Sequence, residues 1–274
     1  MAEDGDAGRT THQRAASSPF RPDLFAGRTV AVTGGSSGIG LAIAQAFHAH
    51  GAEVHLLARD PARLAAAAAT MPGSRTHAVD VRDPDRLEAA AAAVGPTDAL
   101  VNAAAGNFPI PFDAMSRNAW QAVVSIVLDG TANACRAFRP RLRPGSTVTN
   151  IVAGYAWTGA PGVAHSGAAK AGVLNLTRSL AVEWAPVRVN AVSPGPIDGT
   201  EGMKRLADDL GLRAGIEAAV PLGRLGHAPE VAFACLYLAS PAASYVTGAC
   251  LVVDGGMDAM GPFGPLLGRL PATR

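Results

Sequence analysis

The stretch from Val30 to Gly40, VAVTGGSSGIG, restricts the possible folds more than any other part of the chain. An apolar run leads into a turn rich in glycine and serine, and an apolar, alanine-rich run from Leu41 to His48 follows. This order predicts a strand, a tight turn and a helix, in which glycines let backbone N–H groups approach a phosphate at the positive end of the helix. A purely structural turn is the alternative, but its place between a strand and a helix favours dinucleotide binding. The residues expected to bind the cofactor in this turn are Gly34, Ser36, Ser37, Gly38, Ile39 and Gly40.

Segments with strand and helix patterns alternate along the rest of the chain. Alternating β and α segments with apolar strands predict a parallel sheet that is covered by helices on both faces. We therefore expect an α/β fold, a single Rossmann-like doubly wound domain with about seven parallel strands flanked by helices. The predicted strands are Thr29–Thr33, Glu53–Leu57, Thr76–Val79, Asp98–Val101, Ser146–Val152, Val187–Val192 and Ala249–Val253. The predicted helices are Gly38–His50, Pro61–Thr70, a segment that starts at Asp83, Asn118–Arg141 with a bend near Gly130, Ser166–Trp184 and Glu230–Ala239.

The chain is expected to have three parts. Residues 1–25 are polar and of mixed charge, which predicts a disordered tail. Residues 26–256 form the dinucleotide-binding catalytic domain, and residues 257–274 form a C-terminal extension rich in glycine and proline. The connection after the sixth strand, residues 193–226, is long enough to be a functional lid. Apolar side chains at helical spacing between Thr200 and Val220 fit either a lid or ordinary core packing.

Composition excludes several classes of function. The chain has 274 residues, 49% of them hydrophobic, which is enough for one large domain with a full core. A net charge of +1 gives no reason to expect nucleic acid or a membrane surface as a partner. The three cysteines form no CxxC pair and the seven histidines have no metal-ligand spacing, so we expect no metal site and a reducing compartment. We expect a cytoplasmic location, and the alanine- and arginine-rich composition suggests a bacterial protein.

The end of the second predicted strand bears on the choice of cofactor. An acidic residue there would bind the ribose 2′-hydroxyl of NAD, but this chain has Arg59, whose guanidinium suits a 2′-phosphate. Asp60 is the competing signal, and we interpret it as a turn residue or helix cap before Pro61. Asp80 closes the third strand and either accepts from the adenine amino group or caps the loop. NADP(H) is therefore the expected cofactor.

These residues together resemble the short-chain dehydrogenase/reductase family, over roughly Gly27 to Gly256. The resemblance implies that Lys170 binds the nicotinamide ribose hydroxyls and that the turn Pro194–Ile197 holds the carboxamide. It further implies a nicotinamide cofactor and a homotetramer. The motifs that carry the resemblance beyond the glycine turn, and the cofactor contacts expected from them, are Asp80, Val81, Asn102, Lys170, Pro194, Gly195, Pro196 and Ile197.

The departures from the family pattern narrow the expected reaction. The usual tyrosine, four residues before the lysine, is replaced by Ser166. The usual serine and asparagine positions hold Ala153 and Val127. Reduction of an ordinary ketone needs an acid such as the missing tyrosine, so simple carbonyl reduction is disfavoured.

One branch of the family shares these departures, the 2,4-dienoyl-CoA reductases. The segments 102–108, 116–120, 165–171 and 194–202 resemble that branch, most closely its peroxisomal and bacterial members. In the mitochondrial type a catalytic tyrosine lies fifteen residues before the lysine, the position of Tyr155, and an asparagine follows the alanine-glycine turn, the position of Asn107. The aspartate on which the peroxisomal type relies is replaced by Val127. The resemblance places near an acyl-CoA substrate Arg82, Phe108, Ser116, Asn118 and Arg205.

Tyr155 and Asn107 suit the chemistry of this branch. Hydride addition to a dienoyl thioester places negative charge on the thioester oxygen, which hydrogen-bond donors in a dry cleft stabilise. A neutral phenol and an amide NH₂ are such donors, Lys170 adds positive charge, and Ser166 either contacts the substrate or only begins its helix. The resemblance thus implies NADPH-dependent reduction of 2,4-dienoyl-CoA to 3-enoyl-CoA in the β-oxidation of unsaturated fatty acids.

Other interpretations remain open from the sequence. Tyr155 beside Trp157 also fits a wall residue with a satisfied hydroxyl, and Asn107 also fits a loop cap. A related reductase that acts on a trans-2-enoyl-CoA or a carbonyl compound is a second hypothesis. A third hypothesis is a regulator that binds NADP without catalysis, because the position of the usual tyrosine holds Ser166.

Overall fold

A computed structural model describes residues 18–260 of the chain. Within these residues, seven strands form one parallel sheet in the order β3-β2-β1-β4-β5-β6-β7, which confirms the predicted fold class. The strand order reverses between β1 and β4, and such a switch opens a crevice at the carboxyl ends of the strands. The strands are β1 (Thr29–Thr33), β2 (Glu53–Ala58), β3 (Arg75–Ala78), β4 (Thr97–Asn102), β5 (Leu142–Ile151), β6 (Arg188–Pro194) and β7 (Cys250–Val253).

Helices pack on both faces of this sheet. They are α1 (Gly38–Ala49), α2 (Pro61–Ala69), α3 (Pro84–Val94), α4 (Arg117–Val124), α5 (Gly130–Phe138), α6 (Ala164–Glu183), α7 (Glu201–Met203), α8 (Arg213–Ala219) and α9 (Ala228–Ala239). Val30 and Val32 of β1 pack with the core residues of α1 and α9, whereas Ala31 between them packs with those of α3 and α5. Both faces of the strands are therefore buried, which explains their continuous apolar sequences.

The long helix predicted over Asn118–Arg141 consists of α4 and α5 joined by a π-helical turn at Ser125–Asp129. The bend predicted near Gly130 thus lies in the turn just before that residue. Gly130 also packs flush against the segment after β3, because an added Cβ would lie 2.5 Å from Cγ2 of Val81. This close contact brings α5 against the loop that carries Asp80 and Arg82.

The folded domain begins earlier than the sequence predicts. Phe25 is buried with its ring centroid 4.8 Å from that of Phe47 in α1, and the Ser18 hydroxyl lies 2.7 Å from Nε2 of His50. Residues 18–25 therefore pack on the domain, and the prediction of disorder is wrong for them because their aromatic side chains bury apolar surface against α1. The remainder of the predicted tail, residues 1–17, and residues 261–274 of the predicted extension lie outside the described residues.

The contact between Gly130 and Val81 generates a stability prediction. We expect Gly130→Ala to lower the free energy of unfolding by about 1–3 kcal/mol, because the added methyl group overpacks this contact. Gly215→Ala in α8 is the matched control: an added Cβ there meets nothing within 4 Å, so the helix gains about 0.5–1 kcal/mol from alanine. Urea unfolding of the three proteins measures both effects, and equal unfolding midpoints would contradict the prediction.

Candidate active site

The predicted site residues follow the carboxyl ends of neighbouring strands. Arg59 comes directly after β2 and Asp80 two residues after β3. Asn107 lies in the loop after β4, Tyr155 in the turn after β5, and Pro194 closes β6. Because the strands are parallel, all these segments lie at one edge of the sheet, where the strand order reverses.

The turn after β1 forms a cradle that only glycine permits. Gly34 has a φ of 69°, and an added Cβ would lie 2.7 Å from the backbone nitrogen of Ala104. An added Cβ on Gly40 would collide with the carbonyl oxygen of Gly34. Ser37 is the N-cap of α1, but its side chain makes no capping hydrogen bond, and the first turn holds no acidic residue. The N–H groups at this helix end are thus available to an anion, which fits the pyrophosphate of a dinucleotide.

The acidic residue beside Arg59 serves the backbone. The Asp60 carboxylate caps α2 by accepting hydrogen bonds from the backbone nitrogens of Ala62 and Arg63, at 2.9 and 3.1 Å. This confirms the interpretation of Asp60 as a helix cap. The Arg59 side chain is 61% exposed, and its nearest carboxylate is that of Asp80, at 4.0 Å.

Asp80 and Arg82 form a bidentate ion pair. Oδ2 of Asp80 accepts from Nη2 of Arg82 at 2.6 Å, and Oδ1 accepts from Nε at 3.0 Å and from the Arg82 backbone nitrogen at 2.9 Å. The hydrogen bonds from Arg82 hold the pKa of Asp80 below its ordinary value. The structure therefore pairs a residue predicted to face the cofactor with one predicted to face the substrate, which no motif spacing indicates.

Tyr155, Asn107 and Ser166 form one cluster. Nδ2 of Asn107 and Oγ of Ser166 both donate to the Tyr155 hydroxyl oxygen, each at 3.4 Å. Both distances are long for hydrogen bonds. A phenol carries one proton and two acceptor positions, so the Tyr155 hydroxyl can donate to a bound oxygen while it accepts from Asn107.

Lys170 lies one helical turn after Ser166 on the same face of α6. Its side chain is buried, and Nζ donates to the carbonyl oxygen of Ile151, at the end of β5, at 2.5 Å. Burial lowers the pKa of Lys170 to about 8. The ammonium group is therefore anchored beneath the turn that carries Tyr155, and it loses its charge as the pH rises through about 8.

Asn102 has its side chain in the core. Its Nδ2 donates to Oδ1 of Asn150 at 2.9 Å and to Sγ of Cys135 at 3.4 Å, and Asn150 in turn donates to Thr177 of α6. This network ties β4, β5 and α6 together beneath the loop that leads to Asn107. The Asn102 side chain thus contributes to the predicted cofactor site by positioning the backbone that follows it.

Phe108 forms a wall of the site together with His165, a residue for which the sequence predicts no role. The Phe108 ring packs edge-to-face on His165, with centroids 4.9 Å apart. His165 is buried, its Nδ1 accepts from the backbone nitrogen of Ser166 at 2.8 Å, and burial lowers its pKa. The neutral imidazole therefore orients Ser166, and only its sequence position next to that residue indicates such a function.

Arg205 connects the segment after β6 to the cluster. Its Nη1 donates to the carbonyl oxygen of Asn107 at 3.3 Å, from a π-helical turn at residues 204–208. In the predicted lid, Met203 packs into a small separate core with Ile216, whereas Leu210 is 52% exposed. The segment between Thr200 and Val220 thus contains both packed and exposed apolar residues, and its function as a lid stays a prediction.

Two further predicted residues lie at the start of α4. Ser116 is the N-cap of this helix and accepts from the backbone nitrogen of Ala119 at 3.1 Å. Asn118, the second residue of the helix, is exposed. On the opposite side, the turn Pro194–Ile197 rests on the end of β7, because an added Cβ on Gly195 would lie 2.6 Å from Cα of Asp254. That contact explains why glycine is needed in this turn.

The segment after β7 also reaches the turn that holds Tyr155. Nε1 of Trp157 donates to Oδ1 of Asp258 at 2.6 Å, and the backbone nitrogen of Asp258 donates to Asp254 at 2.7 Å. The described part of the predicted extension, residues 257–260, thus contacts the edge of the site. The sequence separation of 101 residues hides this contact from motif analysis.

Neither a metal centre nor a membrane span is found in the part of the chain that the structure describes. No group of three or more His, Cys, Asp or Glu side chains over residues 18–260 is arranged to hold a metal ion. No described helix is long and apolar enough to cross a bilayer.

The chain was compared with a family model, with named relatives and with solved structures. A family model described as enoyl-(acyl carrier protein) reductase matches residues 34–258. A peroxisomal 2,4-dienoyl-CoA reductase of Pongo abelii, named as producing (3E)-enoyl-CoA, is 42% identical over 253 residues, 86% of each chain. A probable 2,4-dienoyl-CoA reductase of Bacillus subtilis, named as producing (2E)-enoyl-CoA, is 41% identical over 84% of this chain and 96% of its own length.

The solved structures agree with these relatives. A crystal structure of a short-chain dehydrogenase from Bacillus anthracis superimposes with a TM-score of 0.78 at 39% identity, covering 84% of this chain and 96% of that one. The glycine cradle and the parallel sheet are the features expected of that fold. The chain therefore belongs to the short-chain dehydrogenase/reductase family, and it is an oxidoreductase that uses a nicotinamide cofactor.

Proposed function

We propose that the protein reduces 2,4-dienoyl-CoA thioesters to 3-enoyl-CoA thioesters with NADPH, in the β-oxidation of unsaturated fatty acids. The observation that carries this proposal is the cluster in which Nδ2 of Asn107 and Oγ of Ser166 each lie 3.4 Å from the Tyr155 hydroxyl oxygen, so that a phenol and an amide NH₂ stand side by side. The names of the Pongo and Bacillus relatives support the substrate class. Serine at position 166 lacks the acidity that ketone reduction requires.

The cluster stabilises the charge that this reaction creates. When bound, NADPH supplies a hydride to the far end of the conjugated system, and negative charge then develops on the thioester oxygen. Tyr155 can donate its proton to that oxygen, and Asn107 can donate with its second N–H. Each such donor is worth about 3 kcal/mol of barrier in a site that excludes water.

Lys170 supports the same charge from below. Its ammonium group, held by the Ile151 carbonyl, favours an electron-rich intermediate through its positive charge. In the proposed complex the same group donates to the nicotinamide ribose hydroxyls. Because burial lowers its pKa to about 8, this contribution depends on pH in the physiological range.

The position of the protonated carbon decides the product. The relatives are named for different products, (3E)-enoyl-CoA and (2E)-enoyl-CoA. We propose the 3-enoyl product, which forms when the proton is added to the carbon beside the thioester. A water held by the polar groups that bind the thioester oxygen reaches this carbon more directly than the carbon two bonds further away.

Other parts of the proposal concern the substrate, the assembly and the location. The exposed guanidinium of Arg205 suits a CoA phosphate, and exposed Leu210 suits an acyl chain. A homotetramer is proposed from the family resemblance, and the edge strand β7 with partly exposed Val252 offers a surface against which another copy can pack. The three unpaired cysteines fit a reducing bacterial cytoplasm.

A turnover assay tests the proposed reaction. We expect NADPH absorbance to fall with 2,4-hexadienoyl-CoA and to stay constant with crotonyl-CoA or a simple ketone. In D₂O, the product should carry deuterium on the carbon beside the thioester. Turnover of crotonyl-CoA or a ketone instead would identify another reductase activity. Binding of NADPH without turnover of any thioester would favour a regulator.

Replacement of Tyr155 tests the role of the phenol. Tyr155→Phe should lower kcat by about 100-fold or more, because one donor to the oxyanion is lost. The dissociation constant of NADPH should stay the same, since the ring is retained. Tyr245→Phe, which alters a fully exposed tyrosine, is the matched control and should leave kcat unchanged. A wild-type kcat in Tyr155→Phe would remove this residue from the mechanism.

The pKa of Lys170 generates a prediction for pH dependence. The lysine carries its charge below about pH 8 and loses it above, so kcat/KM should decline as the pH rises through that value. The residual activity of Tyr155→Phe should show the same alkaline decline if Lys170 causes it. Disappearance of the decline in that variant would assign it to the phenol instead.

A further inference from the structure

The edge where β2 and β3 end carries an alternating set of charged side chains. The Asp80 carboxylate lies between two guanidinium groups, that of Arg82 at 2.6 Å and that of Arg59 at 4.0 Å. Nearby, Asp60 caps α2 and lies 3.7 Å from Nε of Arg63. Each of the two carboxylates thus has a closer partner than Arg59.

The segment that holds Asp80 and Arg82 is built to keep them in place. Asp80 and the Arg82 backbone form a tight turn, closed by the hydrogen bond from the Asp83 nitrogen to the Asp80 carbonyl at 3.0 Å. The carbonyl oxygen of Val81 accepts from Nδ2 of Asn133 at 3.1 Å, and the Val81 side chain packs against Gly130. The ion pair is therefore preorganised and does not depend on two freely moving side chains.

The side chains of Arg59, Asp80 and Arg82 set the net charge around any ligand that binds to Arg59. Arg59 and Asp80 alone would have no net charge, and the carboxylate would repel a phosphate bound to the neighbouring guanidinium. The Arg82 guanidinium adds one positive charge and donates to both carboxylate oxygens. Hydrogen bonds from Arg82 also keep the pKa of Asp80 low, so the carboxylate is ionised at neutral pH and needs this partner.

We propose that Arg82 determines the cofactor specificity of this protein: it neutralises Asp80 and thereby leaves Arg59 available to bind the 2′-phosphate of NADPH. The inference rests on the proposed use of NADPH. It assigns Arg82 to the cofactor side of the site, whereas the family resemblance implies contact with the CoA part of the substrate. Arg82 acts here through Asp80 and is a positioning residue.

Direct binding titrations of the full-length protein test the inference. Protein fluorescence or calorimetry gives dissociation constants for NADPH and NADH without any turnover. We expect Arg82→Ala to weaken NADPH binding about tenfold or more and to leave NADH binding nearly unchanged, because the unpaired carboxylate then opposes the 2′-phosphate. Adding Asp80→Asn to Arg82→Ala should restore most of the NADPH affinity, since asparagine keeps an acceptor and removes the charge.

Two variants control for charge and for folding. Arg82→Lys retains a cation and should keep most of the preference for NADPH. Arg86→Ala alters an exposed arginine in the first turn of α3, whose Nη2 donates to the Ala78 carbonyl at 3.4 Å. Among residues 18–260 its side chain makes no hydrogen bond or ion pair with Asp80, so the substitution should change neither affinity. Equal melting temperatures of Arg82→Ala and Arg86→Ala would show that both variants fold.

The outcomes separate the inference from the proposed function. Equal affinity of the unaltered protein for NADH and NADPH would overturn the proposed cofactor choice. A preference for NADPH that survives in Arg82→Ala, together with a higher KM for dienoyl-CoA, would overturn the inference and assign Arg82 to CoA. Failure of Asp80→Asn to restore affinity would overturn the neutralising role of Arg82.

Discussion

The hydrogen bonds that the Tyr155 hydroxyl accepts are the interaction on which the rest of the site depends. A phenol has one proton and two acceptor positions, and Asn107 and Ser166 donate to its oxygen. Its proton can then be donated to the thioester oxygen that, in the proposed reaction, develops charge beside this cluster. A phenol with the opposite arrangement, donating to a protein acceptor, would be a wall residue.

The fold supplies this cluster from three segments that only the parallel sheet brings together. Asn107 comes from the loop after β4, Tyr155 from the turn after β5, and Ser166 from the first turns of α6. The buried network from Asn102 to Thr177 joins the same three elements, so their relative positions are set below the site. The segment after β6 also reaches the cluster, because Arg205 donates to the Asn107 carbonyl.

Strand periodicity is a local signal and predicted the framework of the fold. The resemblance to the 2,4-dienoyl-CoA reductases, through segments that match over several residues, singled out Tyr155 and Asn107, and the structure brings their side chains together. The sequence did not predict the pairing of Asp80 with Arg82, since two residues of a turn can point in many directions until the loop is packed. The contact between Trp157 and Asp258 depends on chain segments that only the folded sheet brings together.

The boundaries were predicted less well than the elements. Residues 1–25 are polar as a group, whereas the packing of residues 18–25 depends on single aromatic side chains such as Phe25, which is buried against α1. The predicted lid contains both packed and exposed apolar residues, which periodicity alone cannot separate. Such features are decided by tertiary contacts, which no local pattern records.

The central claim is that Tyr155 and Asn107 jointly hold the oxygen on which negative charge develops. The most direct test is a crystal structure of the protein with NADP⁺ and 2,4-hexadienoyl-CoA. The account predicts the thioester oxygen within about 3 Å of both the Tyr155 hydroxyl and Nδ2 of Asn107. A thioester oxygen bound elsewhere, with Tyr155 donating its proton to a protein group, would contradict it.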